Sequence, residues 1–147
     1  MLVKIANAGP GTGRAGAGKE RIRHMKVRKE KTLATKMAIS FLGNIDPRTG
    51  MVVDPGHELY GESISGKVLI FPGGKGSTVG SYVIYQLKKK DLAPAAMINL
   101  RSEPIVAVGA IISGIPLVDR VPSDILQLKN GTCIEVDSDR ELIRILP

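Results

Sequence analysis

Between Pro72 and Ser81 the chain reads PGGKGSTVGS, which gathers four glycines, one lysine and three hydroxyls into ten residues. Glycines let the backbone come close to a ligand, and amides that converge on one point favour negative charge there. A serine hydroxyl held at such a point is unusual, because donors aimed at Ser77 Oγ favour its ionised form, which free serine does not reach near neutral pH. Ser77 is therefore either a helix cap or a base.

The elements that flank this stretch would fix its position. KVLIF (67–71) is an unbroken apolar run rich in β-branched residues and predicts a buried strand, which Pro72 and the glycines stop. A helix follows. Ser77 or Thr78 can cap it, Val79, Val83, Ile84 and Leu87 fall on one face, and Lys88, Lys89 and Lys90 suit its negative C-terminal end. Strand, glycine loop and helix N-terminus in that order form a ready anion site.

Composition narrows the setting. At 147 residues the chain fits one domain, with a core that must be aliphatic: it has no Trp and only Phe41 and Phe71 as phenylalanines. So few aromatic residues argue against base stacking on nucleic acid. The formal charge is +7, but residues 1–24 hold five cations against Glu20 alone, so the rest of the chain is only mildly basic. Specific nucleic-acid binding is not expected of the domain. Cys133 is the only cysteine, which excludes an internal disulfide and cannot by itself hold zinc or an iron–sulfur cluster. No apolar run approaches membrane-spanning length and the N-terminus has no signal-peptide pattern, so a cytoplasmic protein without a membrane partner is expected.

Residues 9–19, GPGTGRAGAGK, offer two deceptive matches. Gly11, Gly13 and Gly16 have dinucleotide-loop spacing, and Gly13 to Lys19 fits most of a P-loop. However, Glu20 stands where a P-loop needs Ser or Thr, and RIRHMKVRKEK after it has no apolar helix face. Residues 1–24 are expected to be a flexible basic extension, and residues 25–147 the folded domain.

From Lys26 to Gly43 the pattern predicts two extended pieces, with Leu33, Ala34, Met37, Ile39, Phe41 and Leu42 as burial candidates. Asp46 to Gly50 predicts a reversing turn, and MVVD a further extended run. His57 lies in a loop and is expected to be exposed. AAMIN (95–99) and IPLVD (115–119) predict strands parallel to the central one, separated by a helix that starts at Ser102-Glu103-Pro104. Pro122-Ser123-Asp124 starts another helical turn. TCIEV and ELIRIL predict two closing strands after the Asn130-Gly131 turn, with Cys133 facing the core. The class is α/β, in three layers.

ISFLGNIDPRTG, HELYGESISGKVLIFPGGKGSTVGSYVIYQL, APAAMIN and EPIVAVGAIISGIPLVD, in this order and spacing, resemble the small swivelling subunit of aconitase X. The likeness runs from about Met25 to the C-terminus. It implies a swivelling β/β/α domain that works as a heterodimer with a large, aconitase-like subunit carrying a [4Fe–4S] cluster. Archaeal members are similar to phosphomevalonate dehydratases, hydro-lyases that convert (R)-5-phosphomevalonate to trans-anhydromevalonate 5-phosphate in a modified mevalonate pathway to isoprenoids; bacterial relatives dehydrate hydroxyproline. The resemblance implies that Ser77, the first hydroxyl after GGKG, is the proton acceptor, with Ser81 as the alternative. Gly74, Gly76 and Thr78 would shape the loop and supply backbone donors, and Lys75 would favour the alkoxide or touch a substrate anion. No metal ligand is expected in this chain. The alternatives are a hydroxyproline dehydratase small subunit, a stand-alone anion-binding domain built on the same loop, and a nucleic-acid binder that uses the basic arm.

Overall fold

The computed structural model describes residues 2–4, 7–8, 27–137 and 142–146. Its strands in chain order are β1 (Leu2–Lys4), β2 (Asn7–Ala8), β3 (Val27–Ala34), β4 (Val68–Phe71), β5 (Ala96–Asn99), β6 (Leu117–Asp119), β7 (Cys133–Asp137) and β8 (Leu142–Ile145). Between them lie the helices α1 (Phe41–Asn44), α2 (Gly80–Lys89) and α3 (Pro104–Ser113), and a 3-10 helix at Ser123–Gln127. The sheet order is β1-β8-β7-β3-β4-β5-β6-β2. Strands β3 to β6 are parallel, as Leu33↔Leu69, Leu69↔Met97 and Met97↔Leu117 show, while the flanking strands run antiparallel.

Parallel strands joined by helical crossovers are covered on both faces, which is why VLIF is apolar throughout rather than alternating. Its side chains still divide by parity. Leu69 and Phe71 join Leu33, Met97 and Leu117 on the face covered by α2 and α3, where Val83, Ile84, Leu87, Val106 and Ala110 pack. Val68 and Ile70 join Ala34, Ala96, Ile98 and Val118 on the opposite face. That second face is closed by Ile134 and Val136 of β7, Ile143 of β8 and Ile125 of the 3-10 helix. Because β7 also hydrogen-bonds to β3, the sheet must curl over itself, which makes the layers β, β and α. Fully burying a side chain such as Ile70 or Phe71 contributes about 1.5–3 kcal/mol, enough for a four-residue strand to hold its place.

Helix α3 begins on the residues that its sequence proposes. Glu103 accepts hydrogen bonds from the N–H groups of Ile105 (3.0 Å) and Val106 (2.8 Å), Pro104 occupies the first turn, and Gly114 closes it in the left-handed region at φ 65. It packs tightly on α2, since a Cβ at Gly109 would sit 2.6 Å from Ile84 Cδ1.

Several expectations need correction. The second extended piece is absent: after β3 the chain makes one bridge, Ile39↔Gly74, and then FLGN turns into α1, where Ser40 Oγ accepts from the Gly43 N–H. Phe41 and Ile39 are buried, but Met37, in the bend at 36–37, and Leu42, on the outer side of α1, are exposed. MVVD forms only isolated bridges, Ile45↔Val52 and Met51↔Ser63. Cys133 is half-buried, since Ile134 and Val136 occupy the inward positions of β7. Apart from these corrections, Leu2–Lys4 pairs with β8 and Asn7–Ala8 with β6. The glycine pattern at 11–19, Met25 and the residues between the two closing strands, 138–141, lie outside the described residues. Among the described residues no helix is long and apolar enough to cross a membrane.

Candidate active site

The glycine loop leaves the carboxyl end of β4, beside the loops that leave β5 and β6. In a parallel sheet this edge is where ligands bind. The loop is clamped on one side by Ile39, whose N–H donates to Gly73 O (3.2 Å) and whose carbonyl accepts from the Lys75 N–H (3.0 Å). On the other side it touches the β5 loop. The Arg101 N–H donates to Pro72 O (3.1 Å), and a Cβ at Gly73 would lie 2.8 Å from Arg101 O. A Cβ at Gly74 would meet the Glu103 carboxylate and the Val106 side chain, so only glycine lets the loop lie against the start of α3. Gly76 has φ 90, with the Ser40 side chain where a Cβ would be.

These contacts present Lys75, Gly76, Ser77 and Thr78 to solvent as one exposed run. Ser77 is not the helix cap. Helix α2 begins at Gly80 with Val79 in the cap position and no side-chain capping bond, and Thr78 does not cap it either. Instead the Val79 N–H donates to Ser77 Oγ (3.2 Å) across two residues, and the Gly80 N–H donates to Ser77 O (2.9 Å). One amide is thus aimed at the Ser77 oxygen, while among the described residues its O–H has no acceptor. Ser81 is placed otherwise: its Oγ–H donates to Thr78 O (3.1 Å), so its proton is committed to the backbone. Ser81 and Thr78 also line a shallow groove of about 140 Å³ with Pro104, Ile105 and Val108.

His57 is buried, at 5% exposure, contrary to the loop reading. Its Nε2 is 3.1 Å from Ala38 O and its Nδ1 accepts from the Leu59 N–H (3.1 Å), so both ring nitrogens are occupied in holding the backbone. Sequence reading missed the support around it. Glu58 accepts from Thr35 Oγ1 and from the Lys36 N–H (2.6 Å), and both bonds hold its carboxyl below the usual range. Asn44 accepts from the Ser40 N–H (2.7 Å) and donates to Asp54 Oδ2 (2.7 Å). These bonds fix residues 35–44, which in turn carry Ile39 and Ser40 against the glycine loop. These partners are scattered from Thr35 to Glu58 with no periodicity, so the sequence carried no signal that joins them.

A curled β/β/α domain that offers an exposed glycine loop at the carboxyl edge of its parallel strands, with no enclosed site around that loop among the described residues, has the architecture of a swivelling domain. The chain belongs to the aconitase X swivel domain family, whose model matches residues 19–145. It is 73% identical over 115 residues to the phosphomevalonate dehydratase small subunit of Methanothrix thermoacetophila, covering 78% of this chain and 83% of that one. It is 63% identical over 115 residues to the protein of the same name from Methanococcoides burtonii, covering 78% and 84%. Among solved structures it is similar to Thermococcus kodakaraensis aconitase X in its holo-form, with a TM-score of 0.79, 44% identity and coverage of 99% of this chain and 98% of that chain.

Proposed function

We propose that this chain is the small subunit of a two-chain hydro-lyase that dehydrates (R)-5-phosphomevalonate to trans-anhydromevalonate 5-phosphate, a step of a modified mevalonate pathway, with Ser77 as the proton acceptor. The names of its relatives support the substrate and the need for a large subunit. The observation that carries the role of Ser77 is the contrast with Ser81. Ser77 Oγ is exposed, receives an amide and has no acceptor for its own proton among the described residues, whereas the Ser81 proton is bonded to Thr78 O.

In the reaction, ionised Ser77 Oγ takes the proton from the carbon next to the carbinol carbon. The C–H electron pair forms the double bond, and hydroxide leaves from the neighbouring carbon. The Val79 amide and the nearby N-terminus of α2 favour negative charge on Oγ before transfer. Glycines 74 and 76 keep the backbone close to substrate, and Lys75 and Thr78 supply a cation and a hydroxyl at its rim. Among the described residues no group of three or more His, Cys, Asp or Glu side chains could hold a metal ion, and the half-buried Cys133 is a single thiol. These residues do not fit an iron–sulfur cluster, so the [4Fe–4S] cluster belongs on the large subunit.

The test is turnover by the assembled complex. Ser77→Ala is expected to lower kcat about 10²–10⁴-fold, as loss of a general base does. Its unfolding free energy should change by less than about 1 kcal/mol, because the bond from the exposed Val79 amide is replaced by water. Near-wild-type turnover of Ser77→Ala alongside an inactive Ser81→Ala would move the base to Ser81. Activity in both variants would end the serine-base reading.

A further inference from the structure

Beside the glycine loop, Leu100, Arg101, Arg120, Val121 and Pro122 line an open cavity of about 510 Å³. Two of its five lining residues are arginines, and among the described residues neither guanidinium has an ion-pair or hydrogen-bond partner. Both sit on a rigid frame. The Arg101 N–H is bonded to Pro72 O, the Arg120 N–H to Leu100 O (3.0 Å), and Asn99, fully buried, donates from Nδ2 to Phe71 O (3.2 Å). The hydrogen-bond ladder of β4, β5 and β6 therefore continues past the strand ends and ties both arginines to the loop that carries Ser77. Arg120 also holds φ 58, a left-handed conformation that a non-glycine residue seldom adopts and that turns its side chain out of the strand's own alternation.

We propose that Arg101 and Arg120 form the subsite for the phosphate group of the substrate. Two unshared guanidiniums match a dianionic phosphate in charge and in fork geometry, whereas a single carboxylate would leave one cation uncompensated. The position suits the chemistry as well. The phosphate of 5-phosphomevalonate lies at the far end of the molecule from the carbon that loses its proton, so its holder belongs next to the Ser77 loop and not within it. This assignment rests on the proposed phosphorylated substrate, but not on Ser77 being the base.

In the assembled complex, Arg101→Ala and Arg120→Ala should each raise KM for 5-phosphomevalonate about 10–100-fold, the usual effect of losing a charge-assisted hydrogen bond. The preference for 5-phosphomevalonate over unphosphorylated mevalonate in kcat/KM should fall by the same factor. Arg→Lys at either position, which keeps the charge and loses the fork, should give intermediate values. Unchanged KM in both alanine variants, or equal losses with both substrates, would overturn the assignment. A second measurement needs neither the partner nor turnover: inorganic phosphate titrated into the full chain should shift the guanidinium NMR signals of Arg101 and Arg120 saturably, and the double alanine variant should remove that response. Absence of any shift at both arginines would likewise sink the phosphate subsite, while an active Ser77→Ala complex would leave it standing.

Discussion

Glu58 illustrates how a surface residue can govern a site that it does not touch. Its carboxylate accepts from Thr35 Oγ1 and from the Lys36 N–H, and these bonds, with small help from neighbouring charge, lower its pKa from 4.5. A carboxyl with a lowered folded-state pKa contributes stability that is complete above the unfolded value and is lost as the pH falls through the folded one. Glu58 is exposed, so solvent screening keeps the contribution small. Glu58→Gln retains an oxygen that accepts both bonds but has no titration there. Thermal melts of the two proteins should run parallel above pH 4.5, and the wild type should lose melting temperature more steeply below it. Parallel curves throughout would show that the clamp has no linkage to folding. Sequence reading placed Ser77 in the glycine loop but left it a possible cap, because the distance between a capping hydroxyl and a two-residue serine turn is a single position. His57 was misjudged for a related reason: glycine and proline neighbours signal a turn, but say nothing of whether the turn is pressed into the core.

At the scale of elements, the strand-loop-helix unit, the parallel neighbours and the start of α3 were legible, since each has its own local signal: an apolar run, a helical period, a glutamate before a proline. Residues 35–67 were legible only at the Asp46–Gly50 turn, where the Thr49 and Gly50 N–H groups do bond back to Asp46 O, because the rest is isolated bridges and loops with no period of their own. The glycine loop depends on that irregular segment at Gly76, where a left-handed backbone meets the Ser40 side chain. Gly61 supplies an internal comparison, with φ 86 and nothing within 4 Å of its missing Cβ. Gly61→Ala should cost only the backbone strain, about 1–3 kcal/mol. Gly76→Ala should cost more than Gly61→Ala in urea unfolding, by the displacement of Ser40, and should also lower turnover of the complex because the residue beside Ser77 moves. Equal losses of stability would mean that Ser40 yields freely; undiminished turnover would mean that the loop tolerates the shift.

For the whole molecule, the decisive feature is how little the described part of the chain encloses. The curled sheet buries its two cores completely, yet the site loop lies on the surface with Ser77 Oγ–H unshared, and no described set of side chains could hold a metal. A dehydration at a carbon bearing hydroxyl needs help for the leaving group, which a lone serine and lysine at the surface do not provide. The purified small chain, incubated anaerobically with iron and sulfide, is therefore expected to stay colourless and to leave 5-phosphomevalonate unchanged, and turnover should appear only when the large subunit is added. Iron content, visible absorbance and product formation are read on the same sample, so that misfolding of the chain cannot pass for agreement; circular dichroism on that sample must show the folded spectrum. Stoichiometric iron with iron–sulfur absorbance in the small chain alone, or dehydration without a partner, would show that the chemistry is complete in this subunit.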